Sequence, residues 1–148
     1  MKLIKSIESG FAGALALTLV HEGLKRTTHR APRMDLLGMN ALAKLLNKGR
    51  LPVPGTGKLF WLTMAGDVIS NTLYYSLSGA GSRRGQALRG SMLGLAAGIG
   101  AVILPKHLGL SNAPSNRTTA TKVFTVGLYF LGAVVTVAVL KSLDRRRI

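Results

Sequence analysis

The sequence predicts an all-α, polytopic membrane protein with four transmembrane helices and a short amphipathic helix in its first loop. Three observations lead there. Charged and apolar residues are segregated: segments 9–20, 90–105 and 123–140 carry no charge, and Asp67 is the only one between 59 and 82. The second and fourth apolar stretches reach the roughly 20 residues a bilayer-crossing helix needs, and the first and third do so if flanking cations snorkel. Finally, Gly90, Gly94 and Gly98 recur at a spacing of four, with Ala87 and Ala101 extending the stripe. Three such glycines would each cost about 0.5–1 kcal/mol in a water-exposed helix, but in lipid they let another backbone come close. The third stretch is therefore expected to be the surface on which the others close.

Composition bounds the rest. The 148 residues suit one membrane domain; 47% are hydrophobic, yet the net charge is +15. A soluble basic protein would have to mix those properties, and this chain separates them. Nucleic-acid binding is the other usual reading of such charge. Here the cations lie in loops and tails with few aromatics among them, so positive charge flanking a membrane is the better account, and no nucleic-acid partner is expected. With no cysteine there are neither disulfides nor thiolate metal sites.

The first span is expected over 7–24. Lys2 and Lys5 ahead of an apolar core resemble a signal peptide. The Ala14-Leu15-Ala16 triplet lies inside that core rather than after it, so a retained helix is the better reading. Gly10, Ala14 and His21 share one of its faces. Residues 35–48 follow as the amphipathic helix, with Met34, Leu37, Ala41, Leu42 and Leu45 on one side and Lys44 and Lys48 on the other. Asp35 suits its first turn and Gly49 its exit. Too short and charged to span, it is expected in the interface or against its own bundle. Gly55-Thr-Gly-Lys58 resembles a phosphate loop, but Pro52 stands where the first glycine is required and Leu59 where Ser or Thr is, so it is rejected.

The second span, 59–78, opens with Phe60 and Trp61, suited to an interfacial belt. A tight basic turn through Arg83 and Arg84 leads to the third span, 87–105, ended by Pro105. A polar loop without periodicity precedes the fourth span, 123–141, where Gly127 and Gly132 are expected to pack. Both halves pair a Gly/Ala-rich helix with one opening Lys-Leu-Phe (58–60) or Lys-Val-Phe (122–124), an echo too slight to establish a duplication. Four spans place both termini on one side. Nine Lys and Arg fall there against eleven in the long loops, but the nine sit nearer the span ends, which favours cytoplasmic termini. In general style the chain resembles small bacterial membrane proteins. That likeness implies an inner-membrane location and transfers no residue role.

Asp67 is the most informative residue. A carboxylate at mid-span costs several kcal/mol by insertion scales, so it should face the bundle and find partners. Thr63 and Asn71 lie on its helical face, Gly66 beside it would permit close approach, and His21 with Glu22 are the expected partners at similar depth. Such an Asp67–His21 or Asp67–Glu22 pair could be a polar clamp between spans or the lining of a proton or cation path. No Ser-His-Asp or Cys-His arrangement and no metal-ligand spacing around His21, His29 or His107 supports catalysis, a metal or a cofactor. Arg83, Arg84, Arg145, Arg146 and Arg147 are placed to meet anionic lipid headgroups. The leading expectation is a protein that works by association, as an accessory subunit or homo-oligomer joined through Gly90, Gly94 and Gly98. The alternative, from a different class, is a small proton- or cation-coupled transporter or channel built on Asp67, His21 and Glu22.

Overall fold

The computed structural model describes residues 2–145; Arg146 and Arg147 lie outside the described residues. Among these residues the regular structure is helical throughout: α1 (Lys2–Thr27), α2 (Met34–Lys48), α3 (Thr56–Ser76), α4 (Gln86–His107), α5 (Ala113–Asn116) and α6 (Thr119–Arg145), with two short 3-10 turns between α3 and α4. Each expected span lies largely within a long helix and the amphipathic helix falls where its periodicity placed it; the ends run further than apolarity indicated, except that α3 stops at Ser76, short of the expected 78, where a 3-10 turn begins. α1 begins in the basic lead. α4 continues past Pro105 to His107, since a proline in the last turn removes only one N–H from the ladder. The loop expected to lack structure holds α5 and the first turn of α6. Thr118 organises that turn by accepting a hydrogen bond from the Thr121 N–H at 3.1 Å.

Three of the four long helices, α1, α4 (with the turn before it) and α6, are long and apolar enough to cross a membrane. The exception is α3, diluted by Thr63, Asp67, Ser70, Asn71 and Thr72. Four spans are therefore not established by length and composition.

In space the long helices do not follow chain order. α1 packs between α3 and α6, and α6 packs between α1 and α4, whereas α3 and α4 barely touch despite being consecutive. Glycine decides these contacts. A β-carbon on Gly10 would run into the backbone of Thr72 and Ser76 on α3, and one on Gly13 into Gly132 on α6. So α1 meets both neighbours at backbone distance, with buried Ala14 and Leu17 continuing the seam. The Tyr75 ring lies over Gly132, and its hydroxyl donates to the Tyr129 carbonyl at 2.8 Å.

The glycine stripe of α4 is buried as expected, but by α6 of the same chain: α4 is an outer helix, and the surface on which the others close is α1 with α6, not the third stretch. Gly90 faces Val137, Gly94 faces Ala133, and Gly98 faces the backbone of Val126, all on α6. Two other expectations fail: Gly66 and Gly127 have open space where a side chain would project. Both are exposed, and Gly66 borders a cavity rather than a neighbouring helix backbone.

The two ends of the bundle are tied differently. At the terminal end Asp144 gathers Lys5 of α1 at 3.1 Å, Gln86 of α4 at 3.1 Å and, more distantly, Arg83 at 3.7 Å. Arg89 folds back to donate to the Ser82 carbonyl in the turn at 2.7 Å. At the opposite end the connection after α1 is sewn to α5 and the start of α6. The Arg33 N–H donates to Pro114, and the Thr121 hydroxyl donates to the Arg30 carbonyl.

Candidate site around Asp67

The polar stripe on α3 follows from helical spacing: Thr63, Asp67, Ser70, Asn71 and Tyr74 fall on adjoining faces of about three turns. Asn71, one turn after Asp67, donates its amide to the carboxylate at 3.0 Å. The Ser70 hydroxyl is occupied with the Asp67 backbone carbonyl at 3.1 Å. Among the described residues no lysine, arginine or histidine lies within ion-pair distance of Asp67, although the other acidic side chains that bond do so to cations.

Asp67 borders two cavities. One, of about 430 Å³, lies between α1, α2 and α3, and its lining includes His21, Gly38, Leu42 and Thr63. The second, of about 580 Å³, lies between α2, α3 and α4, where α3 and α4 part. Its far wall is Ala97, Gly100, Ala101 and Leu104, and Tyr129 of α6 lines both spaces. Tyr74 closes the cleft toward the α3–α4 turn by donating to the Leu93 carbonyl at 3.0 Å. Thr63 is buried, and its hydroxyl has no hydrogen-bond partner among the described residues.

The expected partners of Asp67 are placed otherwise. His21 is buried and lines the same cavity, but its Nε2 lies 2.9 Å from the Pro32 carbonyl, which the loop after α1 brings back over the helix. That carbonyl accepts, so Nε2 carries the proton in this contact. Glu22, one position further round α1, faces away and pairs with Lys25 at 2.7 Å. Neither the His21–Asp67 nor the Glu22–Asp67 bond is made, so these side chains do not form a direct polar clamp between α1 and α3.

Helix α2 covers the site. The face expected to be apolar is the one that looks inward: Met34, Gly38 and Ala41 line both cavities. Its start is latched by Asp35, which accepts two bonds from Arg33, at 3.0 and 2.9 Å, and one from Lys25 at 3.1 Å. Burial alone would raise the Asp35 pKa, but these cationic donors outweigh it and hold the carboxyl at about 2. Arg33 is raised in turn by its bonds to Asp35. At the far end, Lys44 donates to the Leu108 carbonyl at 2.7 Å, pinning α2 to the exit of α4.

The latch and the α4 wall escaped sequence reasoning. Small residues at 97, 100 and 101 were a visible signal, but Ala101 was counted with the glycine stripe and in fact borders the cleft. Of the expected headgroup contacts, Arg84 and Arg145 are exposed, while Arg83 leans toward Asp144.

Chemically the site is one carboxylate with an amide, hydroxyls and apolar walls. Among the described residues no three side chains of metal-ligating type gather. The arrangement can hold a positive charge or a proton. No protein-family model, curated protein or solved structure matches the chain.

Proposed function

We propose that this is an integral membrane protein of four spans that binds and translocates a cation at Asp67. The observation carrying this reading is that Asp67, opening onto two cavities, has among the described residues no Lys, Arg or His within ion-pair distance, while the neighbouring acids Glu22 and Asp35 each have one. A carboxylate kept at such depth with an amide but no cation beside it is a functional-site signature in a membrane. The fourth span is supported by packing. α3 lies antiparallel along α1, from Lys25, 5.3 Å from the centre of the Phe60 ring, to Gly10 at Ser76. A bilayer that α1 crosses is then crossed by α3 too, with its polar face turned inward. Residence in a bacterial inner membrane, cytoplasmic termini and headgroup contact by Arg84 and Arg145 complete the reading, which assigns the protein no catalysis.

The association reading loses its motive, because α6 already covers Gly90, Gly94 and Gly98. Exposed Leu15, Trp61, Ile69 and Leu73 remain, and lipid chains cover these as readily as a partner helix does.

The test is cation flux in proteoliposomes under an imposed gradient. Wild type is expected to carry sodium ions or protons, and Asp67→Asn to lose at least tenfold while keeping its helicity and elution volume. Equal flux through both proteins overturns the proposal.

A further inference from the structure

Resting on the cation reading, we infer that the Asp67 cleft is built for an organic ammonium ion with an apolar body, entering sideways between α3 and α4. Three features of the site specify that ligand. The charge it must complement is a single carboxylate, with one oxygen held by Asn71. A divalent metal ion held by protein side chains calls for several charged or imidazole ligands, and among the described residues no three His, Cys, Asp or Glu side chains gather. An ammonium needs only the carboxylate and an acceptor or two, and the side-chain oxygens of Ser70 and Asn71, which line the larger cavity beside Asp67, supply these.

The walls specify the rest. The larger cavity, about 580 Å³, is faced by Ala97, Gly100, Ala101 and Leu104 on α4 and by Met34 and Leu37 on α2. Its volume lies in the ordinary range for small-molecule sites, which combine apolar walls with a few placed polar groups. A bare cation would leave that surface unused, whereas an alkyl or aryl body fills it. The route follows from the helix order. α3 and α4 are bridged near their turn by Tyr74 and Leu93, but beyond that bridge they part, and Ser70, Ala96 and Leu104 on the cleft's rim are exposed. In a four-span protein that opening faces lipid, where an amphiphilic amine is already concentrated.

Octylammonium is the probe, titrated calorimetrically into the protein in phosphatidylcholine nanodiscs, with empty nanodiscs subtracted. Octanol and tetramethylammonium serve as the neutral and the non-donating comparison. Saturable binding of octylammonium, weakened at least tenfold in Asp67→Asn and again in Ala97→Leu, which fills the apolar wall, is the expected result. Octanol is expected not to saturate, and tetramethylammonium to bind at least tenfold more weakly. Should Asp67→Asn fail to fold, Ala97→Leu and the octanol comparison decide. Equal binding of octanol, or octylammonium binding indifferent to both substitutions, overturns the inference. Absent octylammonium binding alongside Asp67-dependent sodium or proton flux overturns it and leaves the cation reading standing; absence of both removes the two together.

Discussion

A β-carbon built on Gly98 would stand 2.7 Å from the Cα of Val126, so α4 and α6 meet there backbone to backbone. Neither helix backbone can give way as a flexible side chain would. Gly98→Ala should therefore destabilise the protein by about 1–3 kcal/mol, the usual range for overpacking. Gly127→Ala, which projects into open space, should be neutral or slightly stabilising. Thermal unfolding in one detergent, followed by near-ultraviolet circular dichroism, compares the two. A Gly98→Ala protein with an unchanged midpoint but a smaller assembled mass would show that the stripe joins subunits instead.

Tyr75 joins two helices with one side chain: its ring fills the notch at Gly132 and its hydroxyl reaches the Tyr129 carbonyl. Tyr75→Phe keeps the ring and should lose about 1 kcal/mol, the net worth of a typical hydrogen bond. Tyr75→Ala empties a fully buried site and should lose about 3–5 kcal/mol. Equal losses in the two variants, read from the same unfolding curves, would assign all the stabilisation to the hydroxyl and none to packing.

The Asp35 latch predicts a pH dependence with a definite sign. Its folded pKa of about 2 lies below the ordinary 3.8. The stabilisation it gives is therefore complete above the ordinary value and disappears as pH falls through about 2. Asp35→Asn should lower the unfolding midpoint at pH 6, and the gap from wild type should close between pH 4 and pH 2. Hydrogen exchange at neutral pH should locate the loosening in α2, with α6 unaffected. A gap that stays constant across that range would mean the carboxylate charge contributes nothing.

Asp144 is partly exposed, and its bonds to Lys5, Gln86 and Arg83 are correspondingly modest. Asp144→Ala should lose about 1 kcal/mol or less, and less still in high salt. The effect should be local: faster exchange in the first turns of α1 and α4, none around Gly13. Destabilisation unchanged by salt would point to packing rather than charge.

The long helices were legible in the sequence because their interiors exclude charge over whole spans, Asp67 of α3 alone excepted. The burial of Gly90, Gly94 and Gly98 was legible too, since spacing of four puts them on one stripe, but spacing cannot say whose backbone fills it. The same limit applied at Asp67. Helical periodicity correctly put Asn71 beside it, one turn away on the same helix. Its relation to His21 depended on the loop after α1, where the Pro32 carbonyl competes for the imidazole, and no periodicity describes a loop. α2 shows both sides: its inward face was readable from Met34, Ala41 and Leu42, whereas the Lys25–Asp35–Arg33 latch joins residues that only the folded chain brings together.

Because Lys5 and Asp144 touch, the two ends of the described chain emerge together. A hydropathy profile registering three crossings would assign them to opposite compartments. Complementary halves of a split fluorescent protein, one fused at each end, should then reassemble on a single molecule, and labels at the two positions should report a nearly constant short separation.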